Sequence, residues 1–420
     1  MSSTIFDSSV LGMSAQANWL ATISQNVANS STPGYKDAET EFSSLVDQVG
    51  GANAPGLGVS TSTLSLNSLQ GSITGASAVT DLAIQGNGFF VVTDNSGNSY
   101  LTRSGSFVPD ANGYLVNAQG YYLQAQALQG GSPGVAPGSW VDMPRVNVNQ
   151  AGAQAVPSTA GTLSVNLPST AAVVDPTSTP AAGGATYTNK TSLVAYDNSG
   201  SPVTLDIYMT KLANDANGNP QWQAAVYNQA NASSGGGFPY SGAALASQTL
   251  SFNPASGQVT NGSSLSIAVP GGQTMSLDMS ATTQLAAGFT VNSATTNGNA
   301  PATVTGVSVG SDGTLSFLYS SGTSFPAYSI LLANVASPDS LTSVSGTAFS
   351  PNANSGQPLV YTPGTLGAGT IQSSSLEAST VDLSSQLTSM IQAQSGYQAN
   401  SKVFQAGDDI FSVLNKLGGQ

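Results

Sequence analysis

Histidine and cysteine are absent from this 420-residue chain, and only 7 Lys and Arg stand against 20 Asp and Glu. The missing types include the commonest general base, a frequent metal ligand and the softest nucleophile. An enzyme is therefore not expected, and neither a metal nor another cofactor is called for. The formal net charge of -13 argues against a nucleic-acid partner, which needs a basic patch to displace counterions from phosphate. Anionic membranes are disfavoured for the same reason, and no apolar run is long enough for membrane insertion. Charged residues are 6% of the chain, far below the usual share of about a quarter, so solubility rests on Ser, Thr, Asn and Gln. Abundant Gly without Cys suits an extracellular bacterial protein. The first residues lack the basic start and apolar block of a cleaved signal peptide, so export is expected to leave them in place.

What is present starts with helical periodicity at both ends. From about Ser3 to Asn29, Phe6, Val10, Met13, Ala17, Leu20 and Val27 fall alternately four and three apart, with Ser24 filling one step. Pro33-Gly34 then stops the helix. At the far end Leu383, Leu387, Met390, Tyr397 and Phe404 form one stripe, followed after a register shift by Ile410, Leu414 and Leu417. The remaining faces are unusual for solvated helices, which carry Lys and Glu pairs. Here they carry Ser, Gln, Asn and Ala, and Asp7 is the one charge before Lys36. One apolar stripe does not offset the entropy of ordering nearly thirty residues, so these helices are expected to pack against several neighbours.

Between the ends the chain reads as β. Ala83–Ile84, Phe89–Thr93, Tyr114–Val116 and Tyr121–Leu123 are separated by Asn95-Ser-Gly97, Asp110-Ala-Asn-Gly113 and Asn117-Ala-Gln-Gly120, all turn chemistry. Gly/Pro/Ser-rich stretches at Gly130–Pro137 and Gly152–Pro168 place a boundary near 145, and Asn297–Pro301 closes the insertion that follows. The expected fold is a multidomain α+β protein: paired long terminal helices, coiled-coil-like, with mainly β middle domains in layers. Four parts are assigned. Residues 1–30 with 380–420 form a helical polymerisation domain, and 31–70 with 363–379 an extended linker. Residues 71–145 with 301–362 form an inner β domain, and 146–300 an outer β insertion.

Several short motifs carry no chemistry. Gly86-Asn-Gly88 lacks the further glycine and helix of a phosphate-cradling loop. Asp215-Ala-Asn-Gly-Asn219 lacks the bidentate Glu of a calcium loop. Trp140, Trp222, Tyr227 and Tyr240 would be the sugar-stacking candidates if the chain were a secreted β-rich adhesin. Two uncovered apolar stripes argue against that alternative. Lys36 and Arg103 are scarce cations, and Arg103 is a candidate subunit contact.

After the first helix comes Asn26-Val-Ala-Asn29-Ser-Ser-Thr32-Pro33-Gly34-Tyr35-Lys36. This segment resembles the N-terminal signature of the bacterial flagellar axial family, which includes rod and hook proteins. Three further stretches resemble it in order: Asp81–Phe90; Arg103–Phe107 with Pro109-Asp110 and Gly113-Tyr114; and Leu376-Glu377 through Val381-Asp-Leu383 to Met390-Ile391, Gln394 and Tyr397–Asn400. Leu193–Asp197 with Gly200, Leu205–Tyr208, Lys211 and Trp222 is similar to the outer domain of the hook branch.

The resemblance implies a self-assembling tubular polymer with the paired terminal helices inside and the β domains outside. For the hook branch it implies a curved joint that passes motor torque to the filament and encloses the export channel. A distal rod subunit is the alternative, since its ends are alike but its insertion is smaller. The partners implied are further copies of the chain, other axial proteins such as distal rod, hook cap and hook–filament junction proteins, and the flagellar export apparatus. The subunit-packing residues would be the two stripes, and the family-motif residues are Asn26, Asn29, Thr32, Pro33, Gly34 and Tyr35.

Overall fold

The computed structural model describes residues 2–45, 58–129, 132–133, 140, 143–345 and 347–418. Most of the Gly130–Pro137 stretch lies outside them, as do the side chains of Leu414 and Leu417. A long helix stands at each end and the rest is strand and turn. Helix α1 spans Ser2–Ala28 and α2 spans Leu383–Gly418. Asp382 caps α2: its Oδ1 accepts the Ser384 and Ser385 amides at 2.8 and 3.2 Å, which satisfies two of the helix's free N–H groups.

The chain divides into two compact units. One comprises residues 1–150, 306–318 and 324–420, the other 151–305 and 319–323. In the first unit the outgoing and returning halves of the chain pair antiparallel, segment by segment. Ile73–Gly75 pairs with Ser375–Glu377 and Leu82–Gln85 with Thr370–Ser373. Phe89–Thr93, buried throughout, is the central strand of a larger sheet. It pairs with Ser99–Thr102, Tyr122–Leu123 and Leu332–Asn334. A core of Phe89, Val91, Leu101, Leu331, Phe349 and Val360 lies on it, with Trp140 packed alongside. The segment expected as an extended linker contains an antiparallel pair, Ala38–Leu45 with Gly58–Ser65. Its Thr- and Ser-rich residues suit a half-buried pleat, and it lies along α1: Trp19 meets Phe42 edge-on at 5.6 Å and Thr40 Oγ1 donates to Thr22 Oγ1.

The second unit is a two-sheet sandwich. Asn189–Tyr196, Pro202–Leu212, Gln221–Asn228, Ala246–Phe252 and Val259–Asn261 form an antiparallel meander. The other sheet is built on Ala160–Pro168, flanked by Thr274–Asp278, Thr283–Leu285 and Thr290–Thr296. Strict alternation in Ser264–Ala268 and Thr274–Asp278 sends Leu265, Ile267, Met275 and Leu277 into the core with Leu205, Ile207, Trp222 and Phe252. Asp197-Asn-Ser-Gly200 and Asp215-Ala-Asn-Gly218 make the hairpin turns. The aspartate accepts the amides two and four residues on, and the glycines sit at φ +78° and +82°. Trp222 is fully buried and Tyr227 nearly so, which removes them as a sugar platform.

Candidate assembly site at the junction of the chain ends

Two features of the first unit concern its ends: the faces that the terminal helices present, and the knot where both helices meet the β structure. The intrachain seam between α1 and α2 is made largely of small and polar residues, with one aromatic pair near the start of α1. Gly12 meets Asn400 so closely that a Cβ would lie 2.8 Å from its Nδ2, and Gly396 meets Gln16 in the same way. Asn26 Nδ2 donates to Gln386 Oε1 at 3.3 Å, and Phe6 and Phe404 meet edge-on at 5.1 Å. On α2, Gln386, Ala393, Asn400 and Gly407 recur every seven residues, the coiled-coil period. This seam was not visible to a search for apolar periodicity, since its close approach depends on glycine and amide side chains.

Apart from Phe6 and Phe404, the expected packing stripes are not part of these seam contacts. Phe6, Met13, Leu20, Val27, Met390 and Phe404 are half-buried, while Val10, Ala17, Leu383, Leu387, Tyr397 and Ile410 are exposed. Val10 is 48% exposed, Leu387 47% and the adjacent Ile391 65%. The residues of α1 that are fully buried are Ser9, Ala15, Thr22, Ile23 and Asn26 among the described side chains. Both helices thus carry apolar side chains outward, with Asp7 the one charge on α1 and none on α2 before Lys402.

The family-motif residues build the exit from α1. Asn29 Nδ2 donates to the Gln25 carbonyl, and Thr32 Oγ1 donates to Asn29 Oδ1. The helix ends at Ala28, Pro33 keeps it from resuming, and Gly34 turns the chain at φ +72°, so close to the backbone of Arg103 and Ser104 that a Cβ would lie 2.5 Å away. The Gly34 amide donates to the Glu377 carbonyl at 2.8 Å. Tyr35 Oη donates to Asn26 Oδ1, which also accepts the Ala38 amide, and Asn26 Nδ2 donates to the Ala38 carbonyl. Asn26 therefore ties the helix to the strand that follows.

Immediately beyond lies a buried charge cluster. Glu377 Oε1 accepts from Lys36 Nζ at 2.5 Å and from the Gly71 amide at 2.8 Å; its Oε2 accepts from Arg103 Nη1 at 3.3 Å. Lys36 Nζ also donates to the Leu69 carbonyl, and Arg103 Nη2 to that of Gly86 at 3.0 Å. Burial pushes both Lys36 and Arg103 below their ordinary pKa values, and the Glu377 charge opposes it. Arg103, expected as a subunit contact, is 3% exposed and makes its ion pair inside its own chain. An unpaired guanidinium at that depth would be costly, which is why it meets a carboxylate there. Glu377 was not singled out as a site residue. The available signal was charge scarcity, because so few cations in so long a chain have to be placed deliberately.

Among the described residues no group of acidic side chains could hold a metal ion, and no helix is long and apolar enough to cross a membrane.

Comparisons with known proteins bear on this arrangement. Four family profiles match in chain order: flagella basal body rod protein over residues 6–36, the flagellar hook protein FlgE/F/G D1 domain over 83–171, the flagellar basal body protein FlaE D2 domain over 166–299, and the flagellar basal body rod FlgEFG protein C-terminal region over 372–417. The flagellar hook protein FlgE of Brucella abortus biovar 1 is 44% identical over 411 residues, 97% of each chain. The chain belongs to the flagellar hook protein family. The hook protein FlgE of Escherichia coli K12 is 32% identical over 98% of this chain and 99% of its own. A solved structure of Helicobacter pylori hook protein FlgE2 covers 73% of this chain and 100% of its own, at 15% identity and TM-score 0.47. As a hook-family chain the protein is a structural subunit, and neither the rod nor the adhesin alternative is favoured. The D1 match covers Arg103, and the C-terminal match covers Glu377 and most of α2.

Proposed function

We propose that this chain polymerises with copies of itself through its two terminal helices to form the flagellar hook, a curved tube that carries motor torque to the filament and encloses the export channel. The observation that carries this reading is the outward face of α1 and α2. Val10, Leu387 and Ile391 are exposed there among Ser, Thr, Ala and Gln, where a solvated helix would carry charge pairs; charge appears on α2 only from Lys402 onward, beside the exposed Val403 and Ile410. Such a face gains free energy only when other protein covers it. The subunit-packing residues remain those of the two stripes, with the qualification that Phe6 and Phe404 also serve the intrachain pair. The motif residues Asn26 to Tyr35 act by fixing the helix exit.

The chain performs no bond-making chemistry in this role, and its partners are other axial components at the two ends of the tube: distal rod, hook cap and hook–filament junction proteins, together with the export apparatus. Its place is the hook, outside the cell. Electron microscopy of the purified chain at rising concentration tests the reading. Short curved tubes are expected; straight rods would favour a rod subunit, and a persistent monomer would remove the polymer altogether.

A further inference from the structure

The buried cluster of Lys36, Arg103 and Glu377 has an imbalance that its geometry does not hide: two cations share one carboxylate, and all three residues are at most 4% exposed. The three come from distant parts of the chain. Lys36 follows the exit of α1, Arg103 follows the strand Ser99–Thr102, and Glu377 ends the returning strand five residues before the cap of α2. The backbone around them is drawn to the same point. Gly34 donates to the Glu377 carbonyl, Gly71 to its carboxylate, Ala378 to the Ser72 carbonyl and Thr380 to that of Tyr35.

We propose that Glu377 is the positioning residue for assembly: its carboxylate neutralises Lys36 and Arg103 together, and so fixes the end of α1 and the start of α2 on the β structure of the first unit. This rests on the reading of those helices as the polymerising surfaces. The physical reason is an asymmetry. Removing one cation leaves a balanced buried pair, whereas removing the anion leaves two like charges facing each other away from water, the costlier state. The N-terminal exit, through Lys36, and the Arg103 strand end meet on the one carboxylate of Glu377.

Hydrogen exchange of the full-length monomer, followed by electron microscopy of the same preparations, decides the matter. Glu377→Gln should weaken protection of the Gly34, Ala378 and Thr380 amides by at least about 100-fold, because it strands two buried cations. The Phe89–Thr93 amides should stay protected. Lys36→Met should cost those three amides less than about tenfold, since one cation and one anion remain. The triple change Lys36→Met, Arg103→Met, Glu377→Met should restore protection towards the native level and restore tubes, while Glu377→Gln alone forms none. Equal losses for Glu377→Gln and Lys36→Met would overturn the proposal. So would a Glu377→Gln chain that loses protection across Phe89–Thr93 as well, which would make the residue an ordinary support of the core, or one that assembles normally with its junction open. If the native chain itself forms no tubes, the polymer reading fails, but the exchange pattern still decides whether Glu377 holds the junction.

Discussion

The sandwich of residues 151–305 and the pair of terminal helices solve the same problem in opposite ways. The sandwich takes its large apolar side chains out of water within one chain: Trp222, Leu205, Ile207, Met275 and Phe252 are fully buried between its two sheets. The helices do the reverse. Across the described parts of α1 and α2 the fully buried positions are mostly Ser, Thr, Asn, Gln, Ala and Gly, with Ile23 the large exception, while Val10, Leu387 and Ile391 face outward. A self-sufficient element hides its apolar surface, and an element meant for assembly keeps it for a neighbour. The polar intrachain seam fits this division, since amide and small residues at a helix interface set register at a cost in strength.

The largest effect expected on the self-sufficient side comes from Trp222→Ala. It empties a fully buried site, at a cost of about 3–5 kcal/mol, and should lower the sandwich transition in calorimetry by about 10 °C. Tubes should still form below that transition. Loss of assembly at a temperature where the variant sandwich stays folded would show that the two regions are not independent.

Proline substitutions probe the other side. Leu20→Pro and Met390→Pro each remove a helix donor and clash with the preceding turn, at about 3 kcal/mol or more. Each should abolish tubes and leave the sandwich transition within a degree or two. A milder probe is Ile391→Ser, which alters an outward side chain that is 65% exposed. Monomer stability should change by less than about 0.5 kcal/mol, while the critical concentration for assembly should rise about tenfold from lost apolar burial. Unchanged assembly would place the copy-to-copy contact on another face.

Much of this comparison is legible in the sequence, for definite reasons. Helical periodicity with Pro33-Gly34 as a stop marks α1, and Asx-type turns with glycine at Gly97, Gly113, Gly120, Gly200 and Gly218, all at positive φ, mark where strands reverse. The junction is not legible, because Lys36 and Glu377 are 341 residues apart and nothing local in either segment names the other. The helix seam escapes for a different reason. Apolar spacing picks out Val10, Leu20 and Leu387, but the chain uses Gly12, Gln16, Gly396 and Asn400 for its own pairing. Half of the described apolar stripe is thereby left exposed, so the pattern that announces a helix in this protein does not announce its intrachain partner.

The smallest effect expected is electrostatic and has opposite signs in the two regions. Asp37, beside the α1 exit, accepts weakly from Gln386 Nε2 at 3.3 and 3.4 Å, and burial, with the charge of Glu39 added, holds its carboxyl above the usual range. The folded chain therefore keeps this proton to a higher pH than the unfolded chain does. Stability from this group is present in acid and falls as pH rises from about 4 through the folded value. Asp197 and Asp215 in the sandwich turns are the reverse: hydrogen bonds from the side chains of Ser199 and Asn219, together with backbone amides, hold their carboxylates low. Their contribution is present at neutral pH and is lost as pH falls below the usual carboxylate range. Asp37→Asn cannot ionise but keeps an acceptor for Gln386, so it should raise the first unit's transition at pH 7 by only about 1 °C and leave it unchanged near pH 3. Asp197→Asn should instead lower the sandwich transition at pH 7, with the gap to native closing on acidification. If both substitutions shift in the same direction at pH 7, burial does not govern Asp37, and the junction is wetter than its geometry implies.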